Sequence, residues 1–261
     1  MLDVRDVTVR LGQHTALERV TVTARPGALT AICGPNGSGK TTLLRAMSGD
    51  LPYRGSITLN THEVAKTDGV RLAGLRAVLS QFTPLAFPFT VTEVVQLGRM
   101  GSLATAGPDR TTQALGRVGL AGYGGRHYQE LSGGEQQRVH LARVLTQVWD
   151  PVIRDVPRWL FLDEPVSSLD IAHQLQVMQI ARDFADAGGG VIAVMHDLNL
   201  TAMFADEIAL LAKGRLVRQG TPETVLRDDL LSEAYGCALR VGVPPESGPD
   251  LLPHAAQLAA Q

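Results

Sequence analysis

The stretch "ALTAICGPNGSGKTTLLRAM" constrains the fold more than any other part of the chain. Residues 28–33 are a continuous apolar run, the pattern of a strand buried on both faces. Residues 34–41 fit G-x-x-x-x-G-K-[ST], and a helix is expected over about 39–48, with Gly49 placed to end it. A strand, a glycine-rich turn and a helix in this order form a phosphate cradle. Glycines let successive backbone N–H groups curl around an anion, and the helix N-terminus adds partial positive charge. The candidate binding residues are Gly34, Pro35, Asn36, Gly37, Ser38, Gly39, Lys40, Thr41 and Thr42. Lys40 can reach the terminal phosphates, and Thr41 can place its hydroxyl on Mg²⁺.

Around this unit the apolar periodicity changes along the chain. "LDVRDVTVR" and "TALERVTVTA" alternate and are expected to form an antiparallel pair across "LGQH". "GSITLN" and "RAVLSQ" are further short strands. Residues from about 84 to 147 read as a helical insert, with Thr90 and Glu93 at capping-box spacing. "WLFLD" (159–163) and "VIAVMH" (191–196) are buried-strand runs separated by the helix "IAHQLQVMQIARDFADAG", the order of a parallel sheet. The Pro-containing segment 148–158 is expected to be an exposed loop. "EIALLA" and "RLVRQG" should form a hairpin turning at Lys213-Gly214, and Thr221-Pro222-Glu223 should start a helix. The expected organisation is one α/β unit over 1–240 with an antiparallel N-terminal β subdomain, a mainly parallel core sheet and the inserted helical subdomain. Residues 241–261 are expected to form a loosely ordered tail.

Three strand ends carry polar groups. Asp163 and Glu164 follow a buried strand, at the edge where ligands bind in open α/β sheets. There Asp163 can hold Mg²⁺, and Glu164 can orient or deprotonate an attacking water. Gln81 and His196 end two more strands at the same expected edge. Gln81 can contact the metal or the water, and His196 can hydrogen-bond the γ-phosphate. A second phosphate-type helix start lies at "LSGGEQQR", where Ser132 and Glu135 have capping-box spacing and Gly133 and Gly134 leave the first amides uncovered.

The formal net charge of -2 gives no footprint for nucleic acid. Cys33 and Cys237 belong to no metal-binding cluster; a buried Cys33 and an incidental Cys237 are expected. The N-terminal "MLDVRDVTVR" has the alternation of a strand, not the apolar core of a targeting segment. No run approaches the ~20 apolar residues of a membrane span, so membrane association is expected to come through a partner.

"GPNGSGKTT", Gln81, "LSGGEQQR", "WLFLDEP", "SSLD" and His196 occur in the order found in ATP-binding cassettes, and the resemblance runs from about residue 2 to 240. It implies a P-loop ATPase that binds ATP and Mg²⁺ and works as a head-to-tail homodimer. In that arrangement Ser132, Gly133 and Gly134 serve the γ-phosphate held by the opposite subunit, and Asp170 lies at the dimer interface. Glu164 resembles the catalytic glutamate and His196 the switch histidine. Gln81 resembles the residue that senses nucleotide and touches the membrane partner. Leu11 stands where the family usually places an aromatic residue against adenine, which implies weaker adenine discrimination; Arg10 and His14 are its neighbours.

"LAFPFTVTEVVQLGR" and "VMHDLNL" resemble importers of metal chelates. "RWLFLDEPVSSLDIAHQ" is similar to the ATP-binding subunits of bacterial hemin importers. The implied partners are two transmembrane permease subunits and, indirectly, a periplasmic substrate-binding protein, with the chain at the cytoplasmic face of the inner membrane. Iron-siderophore or cobalamin import is the nearest alternative. A non-transport role is more distant, because the repair type carries a long coiled coil and the translation type two fused cassettes.

Overall fold

The computed structural model describes residues 1–81, 87–101, 109–244 and 247. Strands β1 (Leu2–Leu11) and β2 (His14–Ala24) pair antiparallel. β3 (Leu29–Cys33) is buried along its length and leads through the glycine-rich turn into α1 (Lys40–Ser48). β4 (Arg54–Leu59) and β5 (His62–Glu63) follow, then α2 (Gly69–Leu75) and β6 (Arg76–Leu79). The helical insert contains α3 (Val91–Leu97), α4 (Arg110–Arg117) and α5 (Gly133–Gln147). β7 (Val152–Ile153) and β8 (Val156–Pro157) precede β9 (Trp159–Asp163). Then come α6 (Ile171–Asp186), β10 (Gly190–Val194) and α7 (Leu198–Phe204). β11 (Glu207–Ala212), β12 (Arg215–Gly220), α8 (Pro222–Val225) and α9 (Asp228–Tyr235) complete the described elements.

The core sheet runs β12-β11-β3-β10-β9-β6, and every pairing in it is parallel except β11 with β12. The second sheet, β2-β1-β4-β5, is antiparallel. Strand alternation divides the interior in two. Leu29, Ala31 and Cys33 of β3 and Leu160 and Leu162 of β9 face the core shared with the helical insert. Ile32, Trp159 and Phe161 face the other way, against α1 and the antiparallel sheet. Both faces of the core sheet are therefore apolar, which is why its strands read as unbroken hydrophobic runs. Each fully buried large side chain there contributes about 1.5–3 kcal/mol.

The segment 148–158 differs from the expected exposed loop. β7 and β8 pair as a miniature hairpin around Arg154 and Asp155, both with positive φ (50° and 62°). Arg158 behind it is 2% exposed and donates to the Gln147 carbonyl at 3.1 Å. After α9 the chain is tied back, with Ser232 Oγ accepting from Leu239 N at 2.9 Å and Asp228 Oδ1 from Val241 N at 2.8 Å. Most of the expected tail lies outside the described residues, as do 82–86, where the helical insert begins, and 102–108 within it. Among the described residues no helix is long and apolar enough to cross a membrane.

Candidate active site

Parallel register sets the site. Leu79 of β6 stands opposite Leu162 of β9, and Val194 of β10 opposite Asp163. The chain therefore leaves β3, β6, β9 and β10 at one edge, and Gly34, Gln81, Glu164 and His196 all follow from there. The cradle itself depends on Gly39, the N-cap of α1, whose φ of 99° is left-handed. A Cβ there would stand 2.6 Å from Leu17 Cδ2, so β2 can lie directly on the turn only because the residue is glycine.

Lys40 is 5% exposed, and its Nζ donates to the carbonyls of Gly34 (2.9 Å) and Pro35 (3.0 Å). Burial pushes its pKa down, against the opposing pull of Glu164, Cys33 and Asp163. Thr41 Oγ1 donates to Asp163 Oδ1 at 2.9 Å. Burial raises the pKa of Asp163, and the neighbouring Glu164 charge adds to this, while the Thr41 bond lowers it. Glu164 sits at the centre: Gln81 Nε2 donates to its Oε2 at 2.8 Å, and His196 Nε2 lies 2.6 Å from its Oε1. The backbone at Glu164 is left-handed (φ 51°), uncommon for a residue with a side chain.

Asn36, Gly37, Gly39, Lys40, Thr41, Thr42, Gln81, Glu164 and His196 line one cleft of about 660 Å³, while Gly34, Pro35, Ser38 and Asp163 do not line it. Two local observations fit a polyphosphate at the cradle. The N-terminus of α1 has no side-chain cap, so its amides remain available. Ser38 Oγ is buried with no hydrogen-bond partner within the protein. Hydroxyl, carboxylate and amide oxygens of Thr41, Asp163 and Gln81 are the hard donors that Mg²⁺ takes.

Leu11, His14 and Ala16 also line the cleft. No Phe, Tyr or Trp is among the described residues lining it, and Arg10 does not line it. Ala16 carried no signal in the sequence; it is there because β2 packs over the glycine turn.

Ser132, Gly133, Gly134 and Asp170 do not line this cleft. Ser132 caps α5, accepting from Glu135 N at 3.4 Å while Glu135 Oε2 accepts from Ser132 N at 2.8 Å. Gly133 has open space where a side chain would project. Asp170 caps α6, accepting from His173 N (3.0 Å) and lying 2.8 Å from His173 Nδ1. The chain thus carries one cradle with an uncapped helix start and, elsewhere, a second helix start that Ser132 and Glu135 cap and whose Gly133 faces open space.

Residues 17–167 match the family model described as ABC transporter. The chain is 57% identical over 256 residues to a protein of Roseobacter denitrificans named hemin import ATP-binding protein HmuV, covering 98% of both chains. It is 58% identical to the protein of that name from Jannaschia sp., covering 98% of this chain and 96% of the relative. Among solved structures, the fold matches an ATP-binding subunit of an ABC transporter with a TM-score of 0.76 at 22% identity, covering 88% of this chain and 94% of that one. A bacterial Atm1-family ABC exporter with ATP bound matches with a TM-score of 0.77 at 24% identity, covering 89% of this chain and 41% of that one. The chain belongs to the ABC transporter family.

Proposed function

We propose that this chain is the ATP-hydrolysing subunit of a hemin importer, acting as a homodimer beneath two permease subunits at the cytoplasmic face of the inner membrane. The observation that carries the reading is Glu164. Its carboxylate is held by Gln81 and His196 beside a lysine-bearing phosphate cradle, in a chain 57% identical to a hemin import ATP-binding protein. Lys40 exchanges its two carbonyl partners for phosphate oxygens, and the uncapped amides of α1 and Ser38 complete the anion site. Thr41 and Asp163 would hold Mg²⁺, with Gln81 beside them. When bound, the ion supplies positive charge against the phosphate oxygens. Glu164 takes the proton of the attacking water, a role that contributes about 10²–10⁴-fold in such sites. His196 fixes one oxygen of that carboxylate, and Gln81 the other.

The second helix start explains why two copies are needed. Ser132, Gly133 and Gly134 of one copy close over the nucleotide in the cleft of the other, with Asp170 at the interface. An anion at a helix N-terminus gains about 0.3–2 kcal/mol from the dipole. Charge-assisted hydrogen bonds from both copies add to this. Nucleotide thereby joins two subunits, and hydrolysis lets them separate, which drives the permeases.

The test is reconstitution with the permease in liposomes. Hemin presented by its periplasmic binding protein should stimulate ATP hydrolysis and enter the vesicle. Stimulation by a ferric siderophore or cobalamin, with none by hemin, would overturn the substrate assignment.

A further inference from the structure

We propose that Gln137, on the second turn of α5, is a positioning residue for Glu164. It holds the main chain at Glu164 in its left-handed conformation and ties the base of one copy to the helix that faces the other copy's nucleotide. The proposal rests on the functional reading above, in which two copies share two sites.

Glu164 needs outside support. A non-glycine residue with φ of 51° persists only where its surroundings over-determine it. Three donors converge on its carbonyl oxygen: Ser167 N at 3.4 Å, Ser167 Oγ at 3.2 Å and Gln137 Nε2 at 3.1 Å. The two from Ser167 belong to the turn that Glu164 itself begins. Gln137 is the only side chain among the described residues that reaches this carbonyl from another element.

The amide is kept at a cost. Gln137 Oε1 is buried and has no hydrogen-bond partner within the protein. If the position only filled space, an apolar side chain of similar length would avoid that unpaired acceptor. What the apolar residue lacks is the N–H that meets Glu164.

The same helix also touches the rest of the turn. Gly134, three residues earlier, sits so close that a Cβ would lie 3.3 Å from Ser168 O and 3.2 Å from Leu169 Cδ2. The start of α5 therefore lies close against residues 168–169 of that turn. In the dimer, Ser132 of one copy engages nucleotide beside Glu164 of the other. Through Gln137 that engagement also sets Glu164 of its own chain, which serves the second site. The two sites then fire together.

The experiment uses the full chain with its permease and compares Gln137→Met with Gln137→Glu. Both variants keep the length of the side chain; Met removes the donor, and Glu as a carboxylate replaces it with an acceptor facing the Glu164 carbonyl. Both should lower kcat about tenfold with KM for ATP within about twofold, and the Hill coefficient should fall from above 1 in the parent toward 1. The thermal unfolding midpoint of the Met variant should stay close to that of the parent, while the Glu variant, which places a charge beside the carbonyl, is read by kcat and Hill coefficient. Unchanged kcat and Hill coefficient in both variants would overturn the proposal. So would a rise in KM that tracks a falling midpoint, since that marks a merely structural bond. Failure of the functional reading is distinct: the parent protein would then hydrolyse no ATP at all.

Discussion

Glu164, the base of the proposed mechanism, carries an amide on one carboxylate oxygen and an imidazole on the other. Glu164→Gln keeps the shape and removes the basicity. ATP affinity is expected within about twofold of the parent, hydrolysis at least about 100-fold lower, and an ATP-held dimer should appear by light scattering. Normal turnover by this variant would remove Glu164 from the role of base. Cys33 gives a second prediction at this scale. It ends β3 beneath the cradle, and burial pushes its thiol up to about 11 from an ordinary 9.0. A raised acid pKa means the folded state keeps its proton longer than the unfolded chain. The group therefore leaves stability intact below pH 9.0 and lowers it as pH climbs toward about 11. At pH 8 iodoacetamide should label exposed Cys237 and spare Cys33, read by mass spectrometry of the folded protein. Equal labelling would contradict this burial. The buried Cys33 was legible because it closes an apolar run, and Glu164 because it follows one. The left-handed backbone at Glu164 and its bond to Gln137 were not legible, since both depend on where α5 meets a turn about thirty residues further on.

At the scale of elements, two helices share one N-terminal device. Thr90 with Glu93 caps α3, and Ser132 with Glu135 caps α5, each with both reciprocal bonds formed. Thr90→Ala and Ser132→Ala should each cost about 1 kcal/mol, lowering the unfolding midpoint by about 2–4 °C in a chain of this size. Only Ser132→Ala should also slow hydrolysis, because only that helix start is expected to meet nucleotide. Equal loss of ATPase in both variants would reduce Ser132 to a cap. These caps could be read directly from sequence because the capping box is local, spanning four residues. The β7–β8 hairpin could not. Its Arg154-Asp155 turn adopts two positive φ values without the Asn-Gly or Asp-Gly pair that announces such turns, and Pro157 argued against a strand.

At the scale of the whole molecule, the sheet order places β3 between β10 and β11, and that order depends on pairings between strands far apart in sequence. The expectation of a parallel sheet followed from alternating strands and helices, but the neighbours of each strand did not. The completed fold keeps the cradle and the helix start at Ser132 apart: Ser132, Gly133 and Gly134 do not line the cleft of their own chain. In the proposed dimer a symmetric pair of chains has two composite sites, each built from the cradle of one copy and the Ser132 helix of the other. Lys40→Ala disables its own cradle and leaves its Ser132 helix intact. Ser132→Arg does the reverse, placing a bulky cation where the other copy's phosphate should approach. Each variant alone should hydrolyse almost no ATP. Mixed in equal amounts, about half of the dimers pair one of each, and one of their two sites then holds both halves. Activity above that of either variant alone should therefore return, up to about a quarter of the parent rate and less to the extent that the two sites are coupled. Circular dichroism on each variant checks that both are folded before mixing. No recovery from two folded variants able to exchange subunits would place the whole site within one chain, and the Ser132 helix would then be a well-capped helix without a phosphate to meet.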